Sequence, residues 1–169
     1  MITEKGAGFW IEQLELLPHP EGGYYKEMYR SNVVLPKASL PKAFTGDRNV
    51  CTGIYYLLEA GDFSAFHRIA SDEMWHFYAG EALEIFELTS AGELRIHQLG
   101  NDPSRGQSLQ LVIPAGNWFA SRPAIATSYS LVGCTVSPGF DFADFEMAER
   151  ENLRAQFPEH HGIFDELTR

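Results

Sequence analysis

Few side chains in this sequence of 169 residues combine reactive chemistry with a telling setting. His67 and Glu73 are the leading pair, an imidazole and a carboxyl six positions apart with Phe66, Trp75 and Phe77 around them. Imidazole titrates near neutrality, and a carboxyl among apolar groups holds its proton longer than usual. Such a pair can move a proton on a bound carbonyl compound. The same two groups can also simply hydrogen-bond each other, because an unpartnered buried polar group costs about 1–3 kcal/mol. Both readings stay open.

The remaining candidates are more modest. Glu21 opens Glu21-Gly22-Gly23, which reads either as a turn that uses glycine's positive φ or as a carboxylate lining a cavity. Cys51 and Cys134 form neither a CxxC pair nor a dense framework, so they are expected to be buried thiols in a reducing compartment. His160 and His161 are adjacent, a spacing that suits no single strand or helix face, and are expected in solvent. Asp141, Asp144 and Glu146 are expected to form a solvated acidic surface.

These residues must be held by elements that the hydrophobic pattern outlines. Thr3 to Leu17 suits an amphipathic helix, with Thr3 as N-cap and Phe9, Trp10, Leu14 and Leu17 on one side, closed by Pro18 and Pro20. Tyr24 to Arg30 follows as a strand, and residues Leu35 to Asp47 read as a surface loop. Short strands then recur over Thr52–Leu58, Ser64–Ile69, Met74–Tyr78, Leu83–Leu88, Leu94–Leu99, Leu109–Ile113, Trp118–Ser121 and Ser128–Val136. Turn residues separate them at intervals that indicate a sandwich or closed barrel. A last helix is expected over Ala148–Gln156, ahead of Pro158. With no repeat or linker, residues 1–169 read as one domain.

Composition removes some functions. The 13 Lys and Arg are outnumbered by 23 Asp and Glu, for a formal charge of −10. No cationic cluster is present to neutralise a phosphate backbone, so nucleic acid is not an expected partner. No apolar run approaches the length of a membrane span, and the start lacks a basic-then-apolar leader, so a cytoplasmic protein with no membrane partner is expected.

The segment Gly61 to Gly80 resembles the first cupin motif, Gly-x5-His-x-His-x(3,4)-Glu-x6-Gly, with Gly61, His67, Glu73 and Gly80 at four of its five fixed positions. Pro114-Ala115-Gly116 is similar to the Pro-x-Gly turn of the second motif, whereas Gly106 sits two positions too early to open it. His-Pro-Glu-Gly-Gly-Tyr-Tyr at His19 to Tyr25, Trp75 to Gly80, and Pro138 to Phe140 resemble a small, largely uncharacterised family of cupin-like proteins. The resemblance implies an all-β fold, a double-stranded β-helix or cupin jelly roll, flanked by a short N-terminal and a short C-terminal helix. It also implies a homodimer, and brings no settled activity.

In metal-dependent cupins the motif-one His pair and Glu, with a motif-two His, hold one divalent ion. Carried over, His67 and Glu73 fill two of these positions, while Ile69 and Phe119 stand at the others and cannot coordinate. Strand alternation would point Glu73, Trp75 and Phe77 inward and His76 outward, so His76 is no replacement. No metal and no other cofactor is therefore expected. The barrel mouth would hold His67, Glu73, Trp75 and Phe119, with Tyr129 and Glu21 beside them, around a small-molecule ligand such as a nucleotide or sugar. Trp75, Phe77, Trp118 and Phe119 serve equally well as plain core. The competing readings are a metal-independent epimerase or isomerase, a divergent metal-dependent dioxygenase, and a non-catalytic barrel filled by its own side chains.

Overall fold

The computed structural model describes residues 5–124 and 128–169. The expected N-cap Thr3 lies outside them. Helix α1 covers Ala7–Leu14 with Gly6 at its N-cap, shorter than expected at both ends. Glu15 turns left-handed at φ 54, and the chain leaves the helix as β1, Leu17–Pro18, which pairs with β2, Tyr24–Arg30. Leu17 is thus a strand residue exposed to solvent, and the buried apolar contact falls to Leu16.

The expected loop after β2 contains a small ribbon, β3 at Val34–Leu35 with β4 at Arg48–Asn49. The barrel strands follow: β5 Thr52–Leu58, β6 Ser64–Arg68, β7 Asp72–Gly80, β8 Leu83–Leu88 and β9 Leu94–Leu99. Then come β10 Gln110–Ile113, β11 Trp118–Pro123, β12 Ser130–Ser137 and β13 Glu146–Met147. One sheet runs β1-β2-β5-β12-β7-β10 and the other β13-β6-β11-β8-β9. From β5 onward the chain repeatedly crosses between the two, the antiparallel winding of a jelly roll. The fold class read from the sequence is therefore the one observed. The C-terminal end differs in detail, with two short helices, α2 Arg150–Gln156 and α3 His161–Leu167, where one was expected. No helix among the described residues is long and apolar enough to cross a membrane.

Alternation along β7 builds the interior. Glu73 and Trp75 are buried and Phe77 packs against the core, while His76 turns outward to Thr135 Oγ1 at 3.0 Å and Gln110 Nε2 at 3.0 Å. The core between the sheets collects Tyr56, Leu58, Trp75, Leu83, Ile85, Leu99, Phe119 and Val132. Each large apolar side chain so buried contributes about 1.5–3 kcal/mol, which holds the sheets face to face. A second cluster seats α2 and α3 on the outer face through Leu153, Phe164 and Leu167 against Phe66 and Phe86.

The turn before β2 is pinned by glycine. Gly22 has φ 114, and a Cβ there would lie 2.1 Å from the Phe63 carbonyl oxygen. Gly23 donates to Asp62 Oδ2 at 2.8 Å, and Ala65 donates to the Glu21 carbonyl at 3.0 Å. Only a residue without a side chain lets the turn lie this close to the start of β6. The result is to carry Glu21 to the barrel mouth.

Candidate functional site

At that mouth His67, on β6, is 3% exposed and gripped on every side. Its ring lies between Phe119, with centroids 4.1 Å apart, and Phe145, at 5.2 Å and nearly parallel. Nδ1 is 2.7 Å from the Ala65 carbonyl oxygen, which only accepts, so Nδ1 carries a proton and donates. Nε2 is 3.1 Å from Glu21 Oε2. One proton is shared across that contact, and neither imidazole nitrogen is left open to a ligand. His67 therefore orients Glu21 and is not a free base. Its partner is Glu21, not the Glu73 that the residue spacing suggested.

His19 flanks the same carboxyl. Its Nδ1 accepts the Glu21 backbone N–H at 3.3 Å, so in the neutral ring the proton sits on Nε2. Burial pushes the His19 pKa down, Glu21 opposes that, and the nearby His67 adds to it. Sequence reading passed over His19, although it stands two residues before Glu21 in the motif already singled out.

Glu73 is the least compensated group. It is 7% exposed, and among the described residues its carboxyl makes no ion pair. Burial, with the charge of Glu21 adding to it, raises its pKa from 4.5 to about 8, while the Cys134 thiol works the other way. At neutral pH Glu73 is thus an uncharged acid and a hydrogen-bond donor. Burial and the proximity of Glu73 in turn push the Cys134 thiol well up, so it is an inert wall here. Tyr56, from β5, donates to the Gly22 carbonyl at 2.7 Å and braces the turn from below.

These groups open onto one cavity of about 470 Å³, lined by His19, Glu21, His67, Ile69, Glu73 and Cys134 and, towards solvent, by Arg30 and Phe140–Phe142. The rim is partly a strap after β12. Phe142 stacks over His19 at 6.3 Å, and Phe140 meets Phe142 edge-on at 4.9 Å.

Three of the six expected site residues, His67, Glu73 and Glu21, face this cavity. Trp75 and Phe119, each 1% exposed, lie beneath it as core, with Phe119 packed on the His67 ring and edge-on to Trp75. Tyr129 is elsewhere: its hydroxyl accepts from Trp10 Nε1 at 2.9 Å and donates to the Lys5 carbonyl at 2.7 Å, tying α1 to the outside of the barrel. It stands just before β12, five positions ahead of the cavity-lining Cys134.

Two surface assignments also change. Asp144 is buried against Arg48, Nε to Oδ2 at 2.5 Å and Nη2 to Oδ1 at 2.6 Å, and so is not part of a solvated acidic face. His160 is half-buried and bonds the Gly92 carbonyl at 2.9 Å, whereas His161 is exposed as expected.

The metal of the better-known cupins fails a test on donors. Ile69 presents hydrocarbon to the cavity, and Phe119 pairs in register with His67 at the place where another imidazole would be needed. Among the described residues, no group of three or more His, Cys, Asp or Glu is arranged to hold an ion. The residues present do not fit the group.

Comparison with known proteins agrees with the cupin fold. The chain is 41% identical to a protein of Shewanella oneidensis solved by X-ray crystallography, with a TM-score of 0.87 over 98% of this chain and 99% of that one. A hypothetical protein from Leishmania major is 34% identical, also at 0.87, over 96% and 98% of the two chains. An uncharacterized protein of Saccharomyces cerevisiae is 28% identical over 84% of this chain and 75% of its own length. A cupin 2 domain-containing protein from Halorhodospira halophila, 13% identical at a TM-score of 0.56 over 90% of this chain and 87% of that one, shares the fold alone. The family model described as cupin superfamily (DUF985) matches residues 8–148, and the chain belongs to that family.

Proposed function

We propose that the barrel mouth is a binding site for a small organic molecule of nucleotide or sugar size, and that it works without a metal. The observation that carries this is the burial of Glu21 and Glu73 at 7% each, with both carboxyls facing one 470 Å³ cavity. A buried carboxyl without an ion pair, as Glu73 is among the described residues, weakens a fold, and a barrel filled by its own side chains would have no reason to keep it beside Glu21 at an opening. The volume falls within the range of small-molecule sites, and apolar walls such as Ile54, Ile69 and Val136 carry polar groups that converge on the same space.

A second reading, proton transfer, is favoured by one pairing. Glu21, oriented by His67, is an acceptor, while Glu73 at about pKa 8 is a donor across the same space. A base and an acid set apart by environment are what an isomerase or epimerase needs. In this reading Glu21, not His67, takes the proton, Glu73 gives one, and His67 is a positioning residue.

A thermal-shift screen of nucleosides, nucleotides, sugars and nucleotide sugars tests the binding reading, since a ligand of the folded state raises its melting temperature. At least one compound should stabilise the protein and lose that effect in Glu21→Ala. A hit that persists in Glu21→Ala would place the site elsewhere. Elemental analysis of protein purified without added metal should find well below one equivalent of Fe, Mn, Ni or Zn; near-stoichiometric metal would overturn the metal-free part.

A further inference from the structure

Resting on the binding site proposed above, we infer that the cavity takes an uncharged polar ring compound and turns away its phosphorylated or carboxylated counterparts. Four side chains with carboxyl groups line it, Glu21, Glu27, Glu73 and Asp141, against Arg30 as the one arginine among the described lining residues. Arg30 is already engaged. Its Nε and Nη2 donate to the two oxygens of Glu27 at 3.0 and 2.7 Å. Its Nη1 donates to Asn49 Oδ1 at 2.8 Å and to the Phe140 carbonyl at 3.1 Å. The planar fork that would receive a phosphate or carboxylate is therefore filled by the protein's own Glu27.

The other polar groups suit an uncharged partner. His19 and Glu21 both line the cavity: the His19 Nδ1 is taken by the Glu21 backbone N–H, which leaves Nε2 as the neutral ring's donor, and His67 engages the Glu21 Oε2, which leaves Oε1 as an acceptor. Between them a ligand that both accepts and donates, such as a heterocyclic base or a sugar ring with adjacent hydroxyls, finds complementary partners. Phe140 and Phe142 offer ring faces at the rim for its flat side. An anion entering the same space would meet carboxyls with no free arginine or lysine among the described lining residues to offset them, and an unpaired charge in such a setting is costly.

Isothermal titration of the full chain with adenosine and uridine against their 5′-monophosphates, and with glucose and galactose against their 1-phosphates, tests this. At least one uncharged compound should bind about tenfold or more tightly than its phosphorylated form, a separation equal to roughly 1.4 kcal/mol. Glu27→Gln, a change at the exposed rim, frees the Arg30 fork and should narrow that gap several-fold. A phosphorylated form that binds as well as its parent in the unaltered protein would overturn the charge selection and leave the binding site standing. A gap that Glu27→Gln does not move would assign the exclusion to shape, which also overturns it. Silence from all eight compounds in both proteins would instead remove the binding reading for this ligand class.

Discussion

Two buried acidic side chains in this molecule meet opposite fates. Asp144 lies against Arg48 in a two-pronged pair, both side chains 5% exposed, with the guanidinium also donating to the Asp47 carbonyl at 2.6 Å and Thr45 Oγ1 at 3.0 Å. Glu73 is buried to a similar depth with no cation beside it, and it stays neutral by keeping its proton to about pH 8. The first arrangement engages all three guanidinium nitrogens and both carboxylate oxygens, and ties the strap after β12 to the ribbon β3-β4. The second leaves a donor facing open volume. A satisfied pair explains itself by structure, whereas a buried acid left available for a partner points to a ligand.

The contrast can be broken by substitution. Asp144→Ala strands the Arg48 guanidinium and should cost about 3 kcal/mol, read as a lowered denaturant midpoint. Asp144→Ala with Arg48→Met should recover much of that loss. An Asp144→Ala midpoint matching the unaltered protein would place the pair among surface bridges of little worth.

Glu73 should behave in the opposite sense. Its carboxyl ionises near 4.5 when unfolded and near 8 when folded, so between those values the folded state binds more protons. Stability then declines as pH rises through this window and levels off above it. Glu73→Gln removes the dependence, and its advantage over the unaltered protein should grow from near zero at pH 4.5 to about 2 kcal/mol at pH 8. This figure is held below the roughly 1.4 kcal/mol per unit of full linkage because water reaches the cavity. Parallel stability curves for the two proteins would show that Glu73 is charged in the fold at neutral pH.

The smallest effect sharpens the boundary of the site. Tyr129→Phe removes the hydroxyl that joins α1 to the barrel and should cost about 1 kcal/mol in denaturant unfolding. It should leave the affinity of any cavity ligand untouched. A loss of binding in this variant would return Tyr129 to the site.

Much of this was legible in advance. Strands β5 to β12 appear within a residue or two of their observed ends, because a half-buried strand writes its period of two into the sequence and glycine marks its turns, whereas the two-residue β13 is too short to carry a period. His67, Glu73 and Glu21 were legible as candidates through their motifs. His19 and Phe140 lay inside quoted motifs without standing out as site residues, and Phe142 lay outside them, since a histidine among prolines and an aromatic pair in a loop carry no periodic signal.

What the amino-acid order determined by itself is local: where strands begin and end, which face of β7 looks inward, and that hydrocarbon stands at two of the places where a cupin metal would need imidazole. Tertiary structure alone decided the partnerships. Glu21 reaches His67 across 46 positions because Gly22 and Gly23 let one turn press against β6, and Arg48 finds Asp144 across 96. Such pairings depend on how two sheets roll around a common core, a global packing outcome that no short window of sequence encodes.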